Sequence, residues 1–202
     1  MYRKFGKRLM DIVLSGIALI PLSVVYLILA IAIKMDDPGP VFFRQKRVGL
    51  HKTHFEIMKF RTMKMETPKD MPTHLLENPE QYITKVGGFL RKTSLDELPQ
   101  IFTGDMSIIG PRPALWNQFD LIEERDRYGA NDVRPGLTGW AQINGRDELP
   151  IDVKAKLDGE YIEKLSFLFD CKCFFGTIAS VLKSEGVVEG GTGTLEKENK
   201  EE

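Results

Sequence analysis

"IVLSGIALIPLSVVYLILAIAI", Ile12 to Ile33, runs for 22 residues without a charge. As one helix it would be roughly 33 Å long, enough for a hydrocarbon core of about 30 Å. Fourteen of its residues are Ile, Leu or Val. At about −0.3 to −0.6 kcal/mol each for central positions, insertion into a bilayer gains about 4–8 kcal/mol. That exceeds the ~3 kcal/mol an interior proline costs. The first 35 residues therefore predict a membrane-associated helix.

Its path is a separate question. Pro21 splits the run into pieces of roughly 14 and 20 Å, neither of which spans the core alone. Basic residues stand on both sides: Arg3, Lys4, Lys7 and Arg8 before, Lys34, Arg44, Lys46 and Arg47 after. The positive-inside bias favours keeping both ends in the cytosol. A re-entrant helix that enters, bends near Pro21 and returns satisfies both observations, with Ser23 a candidate partner for backbone groups freed at the bend. A straight transmembrane helix and a signal peptide cleaved near Ala30–Ala32 are the alternatives. Against cleavage, the apolar stretch exceeds a usual h-region and a basic segment follows it.

Working outward, 202 residues with 42% hydrophobic content suit one domain with a real core. A net charge of −1 gives no global field towards nucleic acid, and no nucleic-acid partner is expected. The balance is local. Between Lys34 and Lys64 stand Lys34, Arg44, Lys46, Arg47, Lys52, Lys59, Arg61 and Lys64, against Asp36, Asp37 and Glu56. Cys171 and Cys173, one residue apart in an apolar run, read as reduced core thiols rather than a disulfide or a metal site.

"DDPGP" (36–40) closes the membrane segment as a rigid turn. "VFFRQKRVG" and "THFEIMKFRTM" read as two strands joined through Leu50–Lys52, a short β-hairpin. Its interleaved Phe, Lys and Arg suit either anionic lipid head groups or a solvated basic face. The proline-rich "ETPKDMPTHLLENPE" predicts a surface loop. "QYITKVGGFLRK" predicts a helix, which Gly87–Gly88 weakens. "PALWNQFDLIEERDRYG" places Leu115, Phe119 and Ile122 on one face of an amphipathic helix. "IDVKAKLDGEYIEKLSF" repeats the pattern through Val153, Leu157, Tyr161 and Leu165. "FLFDCKCFFGTIASVLKSEG" sets Phe174, Phe175, Ile178, Val181 and Leu182 near one side, and fits either the membrane interface or a buried core. Residues 189–202, Gly-rich and charged, predict a disordered tail. The sum is a helix-rich α+β chain.

The chemistry centres on "RKTSLDELPQ" (91–100), where Asp96 and Glu97 stand side by side. Ser94–Glu97 fits an S-x-x-E capping box, the structural explanation. Pro99 opposes it, since its ring collides with the carbonyl of Leu95 in a continuing helix. Downstream, "GDMSIIGPRP" pins Arg112 between two prolines, a stiff mounting suited to phosphate. "RPGLTGWAQINGR" adds Arg134, Trp140, Gln142, Asn144 and Arg146. Several arginines on rigid loops imply an anion with more than one phosphate. Two acids beside them would hold Mg2+ bridging those phosphates.

These blocks, in this order, resemble those of a bacterial sugar transferase: a small monotopic phosphoglycosyl transferase acting on polyprenyl phosphate. The resemblance covers the basic start and membrane helix, "KFRTM", "SLDELPQ", "GDMSIIGPRP" and "RPGLTGWAQINGR". It implies an N-terminal re-entrant helix on a single cytosolic catalytic domain (36–188) with interfacial amphipathic helices, at the cytosolic face of the bacterial inner membrane. It further implies a ping-pong transfer of a sugar 1-phosphate from a UDP-sugar to undecaprenyl phosphate, with release of UMP. Asp96 would be the nucleophile and would form a phosphosugar intermediate. Glu97, with Asp96, would hold Mg2+. Arg91 and Arg112 would grip phosphates, and Arg146 and Trp140 belong to matching motifs. Membrane lipids and downstream glycosyltransferases of glycan assembly are the further partners implied. The alternative is a non-catalytic, membrane-tethered module that binds polyprenyl phosphates or scaffolds other enzymes, its one argument being the short connection between Gln100 and Gly104. The identity of the sugar is not legible; the loops around Pro68–Pro79 and after Arg146 are where specificity is expected.

Overall fold

A computed structural model describes residues 2–67, 78–102, 104–145 and 149–183. The proline-rich stretch, the tail and Arg146 fall wholly or largely outside the described residues. The chain is helix-rich α+β, as expected, with one long apolar helix at its start.

A π-helical turn, Tyr2–Gly6, leads into α1 (Lys7–Asp36). This helix runs through Pro21 without interruption over its 30 residues, and it is long and apolar enough to cross a membrane. Ser23 donates to the Ile20 carbonyl at 2.7 Å, one of the groups beside the proline. From Ile12 to Val24 the apolar side chains are largely exposed: Ile20 is 77% exposed and Ile17 65%. Both ends, by contrast, are gripped. Near the start, Lys7 pairs with Asp170 at 2.8 Å, and Arg8 donates to the Gly104 carbonyl at 2.9 Å. Near the end, Leu29 and Ile33 pack on Phe60 and Leu90. Asp36 there accepts from the Val86 amide at 2.7 Å, and Asp37 pairs with Arg61.

The hairpin forms as expected: β1 (Phe42–Val48) pairs antiparallel with β2 (His54–Phe60) through a turn at Leu50–Lys52. The chain after β2 runs beside the entry to α2 (Lys85–Thr93), Thr84 donating to the Thr62 carbonyl at 3.1 Å. The helix forms despite its glycine pair, and Gly87 has a packing reason. A Cβ there would lie 2.0 Å from the Thr62 carbonyl oxygen. Only a glycine lets the two backbones approach this closely.

A 3-10 helix, Leu95–Phe102, follows immediately. Pro99 lies inside it, where its ring would clash with the Leu95 carbonyl in regular α winding. Next, β3 (Ser107–Ile109) pairs parallel with β4 (Gly136–Thr138). Between them lies α3 (Phe119–Asp126), shorter than its pattern suggested. Leu115 sits outside it, in a β-bridge with Arg47, and Phe119 is 62% exposed; Leu121 enters the core, and Ile122, as expected, packs against it. A single turn, α4 (Trp140–Ile143), and two longer helices, α5 (Ile151–Lys164) and α6 (Phe167–Lys183), complete the fold. In α5 it is Ala155, Asp158 and Tyr161 that are buried, while Val153 faces out. On α6, Asp170 and Cys173 are buried, while Phe174, Phe175 and Ile178 are exposed. Cys171 and Cys173 are free thiols, Cys173 fully buried.

Candidate active site

The 3-10 helix brings Asp96 and Glu97 to the side of β2, where Lys59 waits. Lys59 donates to Glu97 Oε1 at 2.8 Å. Arg112, on the turn after β3, closes a two-point pair with the same carboxylate: Nη1 to Oε2 at 2.8 Å, and Nη2 to Oε1. The fork matches the planar carboxylate, the strongest form of this contact. Glu97 therefore does not reach back to Ser94 as a capping box would have it. Ser94 instead takes the left-handed conformation (φ 56°) that ends α2, turning the chain so that the two acids come next.

Asp96 is half-buried and has a different electrostatic setting. Burial, then the neighbouring Glu97 carboxylate, push its pKa above the ordinary value; Lys59, Arg112 and Arg91 pull against that rise. For Glu97, burial acts in the same upward direction, but Arg112 and Lys59 overwhelm it and hold this carboxyl well below the usual range. Two adjacent acids are thus driven apart: one firmly ionised and paired, the other costly to ionise and surrounded by cations. Such divergence suits a pair with divided tasks.

Arg91 lies on the last turn of α2, its Nε donating to Thr62 Oγ1 at 3.0 Å. The structure thus brings Asp96, Glu97, Arg91 and Arg112 together. Trp140 stands apart from them among its described contacts. Its indole donates to Glu160 at 3.3 Å, sits tilted against Phe169 and lies under Lys172, whose Nζ is 4.7 Å from the ring centroid. Lys59 was not singled out by sequence reasoning. Its signal was there, in the "KFRTM" block, but it was read only as one of eight basic residues.

For a divalent cation the donor set is spare. No group of three or more His, Cys, Asp or Glu side chains gathers among the described residues. Mg2+ is commonly held by one or two carboxylates plus substrate phosphates. A carboxylate offers about four lone-pair sites, and Glu97 uses three on Lys59 and Arg112. Asp96 and Glu97 fit that ion.

Beside the acids a cleft of about 230 Å3 opens between the 3-10 helix, β4 and α6. Glu97 and Arg112 share its wall with Gln142, whose buried Oε1 has no hydrogen-bond partner among the described residues.

The chain has relatives. The profile of a family described as bacterial sugar transferase matches residues 2–184. An uncharacterised sugar transferase of Bacillus subtilis, EpsL, is 40% identical over 194 residues, covering 95% of this chain and 94% of its own length. The UDP-glucose:undecaprenyl-phosphate glucose-1-phosphate transferase of Escherichia coli is 42% identical over 182 residues, 85% of this chain. An Aeromonas hydrophila protein named UDP-N-acetylgalactosamine-undecaprenyl-phosphate N-acetylgalactosaminephosphotransferase is 37% identical over 193 residues, 90% of this chain. The chain spans 39% of the Escherichia coli protein and 45% of the Aeromonas one.

Proposed function

The chain belongs to the bacterial sugar transferase family, and we propose that it moves a sugar 1-phosphate from a UDP-sugar to polyprenyl phosphate through a covalent intermediate on Asp96. One observation carries the reading: a half-buried Asp96 beside a Glu97 that is clamped by Lys59 and Arg112. An aspartate used as a covalent phosphate acceptor needs no base once ionised. Its difficulty is approaching another anion, and the surrounding cations relieve that repulsion.

In the first half-reaction an Asp96 carboxylate oxygen attacks the phosphorus bonded to the sugar. The bond from that phosphorus to the bridging oxygen breaks, and its electron pair leaves on UMP. In the second, a phosphate oxygen of the lipid attacks the same phosphorus, and the bond to Asp96 breaks to return the carboxylate. Polyprenyl-diphosphate-sugar is the product. Lys59 and Arg112 fix Glu97, and Arg91 and Arg112 hold phosphate oxygens. Mg2+, held by Asp96, Glu97 and the substrate phosphates, would neutralise negative charge there.

The lipid acceptor calls for a membrane-facing site, and the apolar helix supplies one. Its topology in this reading is re-entrant, with both ends on the cytosolic face of the inner membrane. The support is mechanical. Asp11 and Leu29 both contact the body of the protein, yet they are eighteen residues apart, roughly 27 Å along a helix. A straight span of a core about 30 Å thick would carry one of them out of reach. The exposed aromatic face of α6 suits the membrane interface.

The test is UMP release. Purified protein with Mg2+ and a panel of UDP-sugars, lacking any lipid acceptor, should release one equivalent of UMP with one sugar and stop. Adding polyprenyl phosphate should restart turnover. No acceptor-free release from a preparation that turns over with acceptor would exclude the covalent route.

A further inference from the structure

We propose that the cleft between the 3-10 helix, β4 and α6 seats the isoprene units next to the phosphate of the lipid acceptor. The inference rests on the reading above that polyprenyl phosphate is the acceptor. It adds where the hydrocarbon goes.

The cleft's exposed lining is predominantly apolar, with Ile108, Leu137, Ile143, Phe174 and Ile178 in its wall. Glu97 and Arg112 belong to the same wall, so a chain lying there begins beside the guanidinium that would hold its phosphate. Size narrows the choice of occupant. A volume of about 230 Å3 is below the roughly 300–1,000 Å3 of pockets that take drug-sized ligands. A nucleotide sugar is too large and too polar for it, whereas a short branched hydrocarbon suits both volume and lining.

Continuity with the lipid-facing surface supplies the second argument. Phe174 and Ile178, one helical turn apart on α6, line the cleft and are each 44% exposed. Phe175 beside them is 66% exposed. The exposed apolar surface therefore reaches the cleft through Phe174 and Ile178, with Thr177 and Ser180 of the same helix also in the lining. At the other wall, Ile108 donates its amide to Asp11 of α1, so the cleft abuts the foot of the membrane helix. A two-stage transfer also demands this separation. Donor and acceptor phosphates occupy the same place in turn, and the lipid tail must leave that place by its own route.

The experiment uses the full chain in lipid nanodiscs with the UDP-sugar found in the UMP screen. Ile178→Trp, which fills the cleft, should raise the KM for polyprenyl phosphate about tenfold or more. The KM for UDP-sugar and the acceptor-free UMP release should stay unchanged. Ile178→Ala, a milder change, should raise the acceptor KM about threefold and guards against a misfolded Trp variant. In the wild type, farnesyl phosphate should compete with the acceptor better than inorganic phosphate does. A rise in donor KM with a constant acceptor KM would assign the cleft to the sugar and overturn the proposal. Unchanged constants in both folded variants would overturn it as well. Wild-type protein that forms no UMP with any UDP-sugar, acceptor present, would defeat the parent reading, and this inference with it.

Discussion

Asp11, set in the first turns of the apolar helix, accepts a hydrogen bond from the Ser107 hydroxyl at 2.7 Å. Its other oxygen accepts the Ile108 amide at 3.1 Å. A carboxylate in an otherwise apolar segment needs such partners, and here they are the strand that leads to Arg112. Asp11→Ala would leave both donors unmatched, costing about 2–4 kcal/mol. We expect a lower thermal midpoint in detergent and weaker turnover, with Asp11→Asn retaining part of each because its amide oxygen still accepts. Equal loss in the two variants would show that the hydrogen bonds are not what matters.

Asp96→Asn preserves shape and removes the nucleophile. Acceptor-free UMP release should fall by roughly a thousandfold or more. The variant should still sediment with membranes, because α1 and the outer face of α6 are untouched. Quantifying UMP and the membrane fraction in one preparation checks both halves.

The pH dependence follows from the divided acids. Asp96 must be ionised to attack, and burial with its Glu97 neighbour raises its pKa. Activity should therefore be lost as pH falls through a value above that of an ordinary aspartate. Lys59 is one of the cations pulling that pKa down, so Lys59→Met should move the acid limb of the rate profile to higher pH. Glu97 behaves oppositely. Its folded pKa is depressed, so the stability its pairing contributes is present above the unfolded value and is lost only as pH drops through the depressed one. Turnover should fail in milder acid than the fold does; coincident loss by rate assay and circular dichroism would refute this.

Gly87→Ala should destabilise by about 3 kcal/mol, since a Cβ would press on the Thr62 carbonyl. Thr62 also receives Arg91 Nε, so phosphate affinity should weaken alongside. Gly88→Ala is the control. Its nearest neighbour would lie 3.9 Å away, and loss of a helical glycine should stabilise by about 0.5–1 kcal/mol. Thermal melts of the two variants should move in opposite directions.

Much of this was legible from residues alone. Alternation and a short polar break announced the hairpin, and an uncharged run announced α1, because local patterns govern both. The start of α3 was placed too early because the bridge from Leu115 to Arg47 is a contact between distant segments, which periodicity does not see. Gly87 read as a weakness for the same reason: its explanation, Thr62, is 25 residues upstream. The acids stood out by their proline-braced neighbourhood. Their principal partner on β2, Lys59, was hidden among many basic residues, since only folding decides which lysine meets Glu97. Asp11 gave a plain signal, a lone acid at the edge of an apolar run, which went unused.

The grip on both ends of α1 makes that helix part of the machine rather than its mooring. Replaced by an unrelated hydrophobic anchor, the remaining body would still find the bilayer, yet it would lose the buttress under Ser107, the stays on Gly104 and the clamp at Val86. Tethering and competence are thus separable, and transplanting the rest of the chain onto a foreign anchor should yield a protein in the right place with a slack catalytic centre.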